Sequence, residues 1–158
     1  MMLDIAIEAD PEWDSRTRWD SLVRTAAEAA IAESAFPGLA GIERPVELSV
    51  RLAGDDEVQE LNARWRGKDK PTNVLSFPQL DPREIEAVAG AGPELMLGDL
   101  VLAHETCRRE ADEKAVPLED HAAHLIVHGT LHLLGYDHED EGSAEEMERR
   151  EVRALARL

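Results

Sequence analysis

The sequence predicts an α+β fold: a single domain over residues 1–158, in which a small sheet of about four strands packs with about five helices. Three observations lead to this fold class. The chain of 158 residues has the length of one domain. Hydrophobic residues make up 43% of it, which is enough to form a core. Short apolar runs typical of strands alternate along the chain with longer segments that have helical spacing.

Four segments have the pattern of strands, because they are rich in Leu, Ile and Val and are bounded by Pro, Gly or acidic residues. They cover residues 3–7, 46–52, 73–77 and 95–103. We expect the third strand at an edge of the sheet, since Pro71 and Pro78 flank it and proline has no amide hydrogen to donate. Gly98 interrupts the apolar pattern of the fourth strand.

Five longer segments have apolar residues at helical spacing. They cover residues 13–35, 56–65, 104–115, 117–134 and a last amphipathic helix that starts near Ser143. Residues 79–94 mix Pro, Gly, Ala and acids without a clear period, and they are predicted to form a loop with some helix.

The ends of three helices carry residues that favour caps. Asp55 or Asp56 can cap the second helix. Ser143, followed three residues later by Glu146, has the pattern of a capping box for the last helix. Gly135 is placed to end the fourth helix in the left-handed conformation that glycine tolerates.

The composition narrows the class of protein. No apolar run approaches the roughly 18 residues that would span a bilayer, and the first residues lack the basic region of a signal peptide. A single cysteine, Cys107, excludes a disulfide within the chain and is expected to be a packing residue. We therefore expect a cytoplasmic protein with no membrane partner.

The formal net charge of −17 argues against a nucleic-acid partner, because it repels phosphate at long range. Residues 61–80 are the exception, with four basic residues against Asp69 alone: Arg64, Arg66, Lys68 and Lys70. Salt screens exposed charges beyond about 8 Å at physiological ionic strength. This basic segment is either a solvated turn or a local phosphate-binding strip.

The most specific motif is HGTLHLLGYDH, residues 128–138. His128 and His132 are four residues apart on a predicted helix, so both imidazoles leave the same face about one turn apart. Gly135 ends the helix, and His138 follows it as a third ligand. The spacing matches every ligand position and the glycine of the metzincin motif HExxHxxGxxH. We predict one divalent metal ion per chain, bound by His128, His132 and His138.

Three neutral histidines leave the full charge of a divalent ion and a fourth position for water, as in catalytic zinc sites. Zinc suits imidazole best, although other transition metals fit the same ligands. His124 is expected in the core or behind a ligand, and Asp137 either fixes the turn or takes part in proton transfer. Zinc peptidases carry a glutamate base after the first histidine, where this chain has Gly129, so that mechanism is disfavoured.

Together with RGKDKPTNVLSFP (66–78) and LGDLVLA (97–103), the histidine motif resembles the YbeY family of bacterial rRNA-maturation endoribonucleases. The resemblance runs from about Val46 to Glu151. It implies a single α+β domain with a metalloprotease-like zinc site. It also implies a metal-dependent, single-strand-specific endoribonuclease that matures the 3′ end of small-subunit rRNA and acts in ribosome quality control.

The resemblance places the family's three metal histidines on His128, His132 and His138, and its functionally important arginine on Arg66. The residue types agree with this role, because an arginine can bind a phosphate through two parallel hydrogen bonds. Lys68 and Lys70 are expected to attract RNA more generally. The expected partners are single-stranded RNA, including rRNA, and the small ribosomal subunit, and no DNA partner is expected.

Trp65 could stack on an unpaired base, but its spacing from Leu61 and Val58 favours packing in the core. Met147 is also expected in the core. Two other functions stay open at this point. One is a metallopeptidase of the HxxxH type. The other is a non-catalytic ribosome-associated module, in which zinc supports folding and the basic segment docks.

Overall fold

Four strands form one mixed sheet in a computed structural model that describes residues 3–14, 16–41, 45–86, 94–137 and 140–158. The strands are β1 (Leu3–Ala9), β2 (Val46–Ala53), β3 (Val74–Pro78) and β4 (Leu95–Ala103). Their order is β1-β2-β4-β3, with β1, β2 and β4 parallel and β3 antiparallel to β4. The predicted α+β class is confirmed, and β3 lies at an edge of the sheet as its flanking prolines predict.

Six α-helices accompany the sheet within the described residues. They are α1 (Trp19–Ala32), α2 (Asp55–Arg66), α3 (Pro82–Glu86), α4 (His104–Lys114), α5 (Leu118–Leu133) and α6 (Glu141–Leu155). The additional short helix α3 lies in the segment predicted as a loop with some helix, and residues 87–93 of that segment fall outside the described part of the chain. None of the described helices is long and apolar enough to cross a membrane.

The predicted start of the first helix at residue 13 is wrong, because α1 begins at Trp19. Trp13 lies in a turn after β1, where its indole donates a hydrogen bond to the carbonyl of Ala53 at 2.8 Å. Its ring also packs edge-on against Trp19, with 5.1 Å between the ring centroids. These contacts bury Trp13 at the end of β2 and hold the segment in turns, so tertiary packing overrides helical spacing here.

One face of the sheet is covered by helices and holds most of the core. Helix α5 packs between the sheet and helices α1, α4 and α6. The largest fully buried side chains on this side include Leu48, Leu100, Ile126, Leu131 and Met147. The prediction that Met147 belongs to the core is confirmed. This packing fixes α5, which carries His128 and His132, two of the three predicted metal ligands, against the middle of the fold.

The opposite face of the sheet is covered only in part. Helix α2 packs on β3 and β4 there, with Val58 among a small buried cluster that includes Leu75 and Val101. The outward side chains of β1, such as Asp4 and Glu8, are exposed. The two faces therefore differ, since one is covered by α5 and the helices around it and the other keeps an open surface beside α2.

Gly98 does not end β4, which continues through it to Ala103. The register between β2 and β4 shifts at this point, which is the sign of a β-bulge. Gly98 has φ +149°, and a Cβ atom there would lie 2.8 Å from the side chain of Leu133 and closer still to the carbonyl oxygen of Phe77. The glycine therefore allows β3 and α5 to approach β4 closely.

The predicted cap of α2 by Asp55 or Asp56 is wrong, because the helix is preceded by Gly54 with no side-chain cap. Asp55 instead accepts hydrogen bonds from the amide and the hydroxyl of Thr106, in the first turn of α4. Glu105 of α4 in turn accepts from the amide of Asp55 at 3.1 Å. The two helix starts thus cap each other, an arrangement that needs the fold and cannot be seen in local sequence.

The predicted capping box of the last helix is also wrong. Asp140 precedes α6 and accepts a hydrogen bond from the amide of Ser143 at 2.7 Å. Glu146 instead pairs with Arg149 and Arg150 at 2.6 Å each. Asp140, three residues before Ser143, thus accepts from the amide that a capping box would have paired with the Glu146 carboxylate.

Candidate active site

His128 and His132 project from the same face of α5, as their four-residue spacing predicts. Their Nε2 atoms are 3.1 Å apart, and their ring centroids are 4.6 Å apart. Nitrogens that bind one tetrahedral zinc ion at about 2.0–2.1 Å lie roughly 3.3 Å from each other. The two imidazoles are therefore arranged as a pair that can bind one metal ion.

Glu151 of α6 holds this pair from behind. One carboxylate oxygen bonds Nδ1 of His128, and the other lies 3.4 Å from Nε2 of His124. Only 12% of the Glu151 side chain is exposed. His124 does not line the pocket in front of His128; it contacts the carboxylate behind that ligand.

Burial of Glu151 would by itself raise the pKa of its carboxyl group. Hydrogen bonds with His124 and His128 outweigh burial and lower that pKa to about 2. Glu151 is therefore ionised at neutral pH and can only accept hydrogen bonds. Neutral His128 must then carry its hydrogen on Nδ1, which leaves the lone pair of Nε2 to face the pocket.

The pocket in front of the histidines has a volume of about 440 Å³. Besides His128 and His132 it is lined by Arg66 from the end of α2, by residues of β3 and the residue before it, and by the turn after α5: Asn73, Val74, Leu75, Ser76, Pro78, Gly135, Tyr136 and Asp137. A volume in this range suits a small ligand or one unit of a polymer.

Arg66 also lines this pocket. Its Nη2 donates a hydrogen bond to the carbonyl oxygen of Ser76, and its Cζ lies 5.6 Å from the centre of the Phe77 ring. Within the described residues Arg66 forms no ion pair. The guanidinium is thus held by neutral groups and keeps its charge available to an anion in the pocket.

The turn after α2 is held in a fixed shape. Gly67 ends the helix with φ +69°, and buried Asn62 donates a hydrogen bond to the carbonyl of Lys70 at 2.9 Å. Lys68 and Lys70 are exposed on this turn and do not line the histidine pocket. Of the predicted site residues, the structure therefore brings together Arg66, His128 and His132, with the two lysines outside.

The predicted third ligand, His138, lies outside the described residues, between Asp137 at the pocket wall and Asp140. Among the side chains that the structure describes, no group of three His, Cys, Asp or Glu residues could hold a metal ion. The described part of the site therefore contains two imidazole nitrogens, those of His128 and His132, that can bind a metal ion. Gly135, with φ +101°, ends α5 and turns the chain back toward them, as predicted.

Gly129 lies where α5 passes closest to the sheet. A Cβ atom at this position would meet Leu100 at 2.8 Å and the Ser76 hydroxyl at 3.3 Å. A side chain at this position would require the buried side chain of Leu100 to move. The structure thus gives a packing reason for the glycine, in addition to its lack of a group that could act as a base.

A second histidine–carboxylate pair lies about two turns earlier on α5. His121 is 3% exposed, and its Nε2 lies 2.8 Å from Glu110 of α4. Glu110 also accepts a hydrogen bond from the side-chain amide of Asn73 at 3.0 Å. Burial of Glu110 opposes ionisation, but its hydrogen bonds with His121 and Asn73 lower its pKa overall. Asn73 connects this pair to the pocket wall.

Two other predicted roles can be compared with the structure. The prediction that Trp65 packs in the core is wrong, because 65% of this residue is exposed at the last turn of α2. Cys107 is fully buried, and burial, with a smaller contribution from Glu110, raises the pKa of its thiol to about 12. Cys107 is a packing residue, as predicted.

Glu151 is the functional residue that the sequence reading missed. It lies four residues after the core residue Met147, on the side of α6 that packs on α5. An acid at a core-facing helical position is uncommon unless it has a partner. That spacing is the signal that could have identified Glu151 as a partner for a histidine.

Comparison with known proteins gives a consistent result. The family model described as Endoribonuclease YbeY matches residues 7–158. A Sphingopyxis alaskensis protein named Endoribonuclease YbeY is 51% identical over 158 residues, which cover 99% of this chain and 94% of that protein. A Novosphingobium aromaticivorans protein of the same name is 52% identical, over 96% of this chain and 90% of its own length.

A similar fold occurs among solved structures. The solution structure of a Thermotoga maritima protein superposes with a TM-score of 0.55 at 24% sequence identity. The match covers 96% of this chain and 89% of that chain. At this identity the likeness supports the α+β fold alone.

Proposed function

The chain belongs to the Endoribonuclease YbeY family, and on this premise we propose that it is a metal-dependent hydrolase that cuts single-stranded RNA. The observation that carries the proposal is the pocket itself. Arg66, His128 and His132 line the same pocket, and the Nε2 atoms of the two histidines are 3.1 Å apart. A cationic side chain that shares a pocket with a metal-binding pair is suited to a phosphodiester, whose charge increases during cleavage.

The residues present fit a divalent transition metal ion. Two imidazole nitrogens at 3.1 Å have the separation of ligands on one ion, and Glu151 orients His128 as carboxylates do in zinc sites. We propose His128, His132 and His138 as the ligands and zinc as the metal. Such an ion supplies Lewis acidity to a phosphate or water oxygen.

The side chains of the protein bind the phosphate, orient a metal ligand and attract the RNA. Arg66 binds the non-bridging phosphate oxygens through its paired N–H groups and stabilises their charge as the bond breaks. Glu151 accepts the hydrogen bond of His128 Nδ1 and so fixes the orientation of the imidazole at the pocket. Lys68 and Lys70, exposed beside the entrance, raise the local concentration of RNA without fixing its position.

The family supports RNA over a peptide as the substrate, and one observation of this chain agrees. The position that carries the base of a zinc peptidase is Gly129, and Leu100 and Ser76 fill the space that its side chain would need. A peptidase mechanism that depends on a glutamate there is therefore disfavoured in this protein.

We further propose that the biological substrate is the 3′ end of small-subunit rRNA, that the protein acts in ribosome quality control at the small subunit, and that it works in the cytoplasm. Support comes from the family membership. The basic turn beside the pocket gives an otherwise acidic protein, with net charge −17, one place to receive RNA.

The test is cleavage of a labelled single-stranded RNA by purified, zinc-loaded protein and by Arg66→Ala. We expect Arg66→Ala to lower kcat by about 100- to 1,000-fold, the usual effect of losing one group that stabilises a developing oxyanion. Arg64→Ala is the matched control, because Arg64 lies on the same helix, is exposed and pairs with Glu60. Equal cleavage by wild type and Arg66→Ala, or cleavage that survives a chelator, would contradict the proposal.

A further inference from the structure

Trp65 is an exposed aromatic side chain at the edge of the open sheet face. The other two tryptophans, Trp13 and Trp19, are buried, whereas 65% of Trp65 is accessible. Leu61 lies one helical turn before Trp65 on the same side of α2 and packs on the small cluster beneath the helix. An exposed tryptophan that continues an apolar helix face is an uncommon feature that calls for a ligand or a partner.

Trp65 forms one wall of a groove of about 470 Å³ between α2 and the uncovered face of the sheet. The floor is a row of directly opposed residues on three strands: Ser49 of β2, Asp99 of β4 and Phe77 of β3. The groove therefore has aromatic rings at its wall and floor and polar groups beside them. Such a lining suits a flat aromatic ligand with hydrogen-bonding edges.

The groove and the histidine pocket lie on opposite faces of the edge strand β3, and Arg66 adjoins both. Along this strand Ser76 lines the histidine pocket and Phe77 lines the groove. Arg66 lines the histidine pocket, and its guanidinium lies over the Phe77 ring. A ligand with a phosphate at Arg66 would thus have its next base within reach of Phe77 and Trp65.

The charges favour one orientation of such a ligand. The basic residues Arg64, Arg66, Lys68 and Lys70 surround the end of α2, where phosphates would be attracted. Arg51, the basic residue that lines the groove, is paired with Asp10 and Glu57. Asp99 on the floor would repel a phosphate, but its carboxylate can accept a hydrogen bond from an exocyclic amine of a base. The sugar–phosphate chain should follow the basic turn while a base enters the groove.

We propose that this groove, lined by Trp65, Leu61 and Phe77, binds an unpaired RNA base next to the scissile phosphate and so selects single-stranded RNA. The inference rests on the proposed endoribonuclease function and adds the reason for strand selection. Bases in a duplex are stacked on each other and cannot present a free face to Trp65. The occupant we commit to is RNA, and a protein partner on this face is the alternative that the experiment addresses.

Acrylamide quenching of tryptophan fluorescence tests the contact directly, because Trp65 is the one exposed tryptophan of three. The protein is titrated with a single-stranded 2′-O-methyl oligoribonucleotide, which is checked for intactness after the measurement. We expect the oligonucleotide to protect Trp65 from quenching and an RNA duplex of the same sequence to leave quenching unchanged. Unchanged quenching with both, or equal protection by both, would overturn the inference.

Variants then separate stacking from other contacts. Trp65→Ala should weaken binding of the single strand by about tenfold, within the range of one lost aromatic–base stack, and Trp65→Phe should restore most of the loss. Leu158→Ala is the control, because Leu158 is 52% exposed and lies away from the groove. RNA binding that is equal in wild type and Trp65→Ala would overturn the inference and assign the face to a protein partner.

Cleavage of RNA in the same preparations distinguishes the two proposals. If wild type cleaves RNA and Trp65→Ala cleaves it with a higher KM and a similar kcat, both proposals are supported. If both proteins cleave with the same KM, the groove inference fails while the proposed function stands. If zinc-loaded wild type does not cleave RNA, the proposed function fails and the groove inference fails with it.

Discussion

Two histidines of α5, His121 and His128, each bind a carboxylate from a neighbouring helix, yet their surroundings differ. His121 is buried, and its Nε2 faces Glu110 of α4. His128 bonds Glu151 of α6 through Nδ1, and its Nε2 points to His132 across the pocket. A histidine–carboxylate pair therefore does not by itself identify a functional site. What the pair can do depends on where the second ring nitrogen, the one that does not face the carboxylate, is directed.

Replacing His128 should give the largest effect in this comparison. We expect His128→Ala to lower RNA cleavage by more than about 100-fold, since even residues behind a metal ligand change activity by about 10- to 100-fold. His121→Ala should retain cleavage per folded molecule, because its Nε2 is turned away from the pocket. The two variants are compared by their single-turnover rates of RNA cleavage. Each rate is divided by the folded fraction, which circular dichroism measures. Equal losses of RNA cleavage in the two variants would contradict the proposed difference between His128 and His121.

Glu151 should act on metal affinity. Glu151→Gln keeps the size of the side chain but removes the charge that orients and polarises His128, so we expect zinc to bind about 10- to 100-fold more weakly. Cleavage should recover at high zinc concentration, which a defect in folding would not allow. Competition with a fluorescent zinc chelator measures the affinity. Unchanged zinc affinity would show that the carboxylate does not support the metal site.

His121 should contribute to stability. Removing it leaves Glu110 with the Asn73 amide as its remaining side-chain partner and opens space in the interior. We expect His121→Ala to lower the free energy of unfolding by about 1–3 kcal/mol, the usual cost of a buried group that loses its partner. Urea unfolding followed by circular dichroism measures the loss. A stability equal to wild type would mean that the buried pair has no structural role.

The Glu110 pair also predicts a small effect of pH. Its folded-state pKa is lower than its ordinary value of 4.5, so its contribution to stability is present above about pH 4.5. The contribution is lost as the pH falls through the folded-state pKa. The difference in unfolding free energy between wild type and Glu110→Gln should therefore shrink as the pH falls below about 4.5.

Urea unfolding at a series of pH values checks this effect. Glu113→Gln is a matched control, because Glu113 is on the exposed side of the same helix. A difference between wild type and Glu110→Gln that is constant across the acid range would contradict the account.

Much of the fold could be predicted from local sequence. The four strands and the edge position of β3 follow from apolar runs and flanking prolines. The end of α5 at Gly135 follows from the conformation that only glycine adopts easily. The start of α1 could not be predicted, because the contact of Trp13 with Ala53 joins residues far apart in sequence. The mutual capping of α2 and α4 through Asp55 and Glu105 depends on the fold in the same way.

The candidate site also combines features that local sequence predicts with features that depend on the fold. The pairing of His128 with His132 is local, because a helix places residues four apart on one face. Arg66 could be chosen only through a family resemblance, since nothing in its own segment points it at α5. The role of Glu151 depends on α6 packing against α5, and the exposure of Trp65 depends on how little of the sheet α2 covers. Both are properties of tertiary packing.

We propose that His128, and not His121, binds the metal ion. The most direct test of this proposal is the zinc content of wild type, His121→Ala and His128→Ala, purified and reconstituted in parallel and then freed of unbound metal. The account predicts about one zinc ion per chain in wild type and His121→Ala and a large loss in His128→Ala. Equal zinc content in all three proteins, or none in wild type, would contradict it.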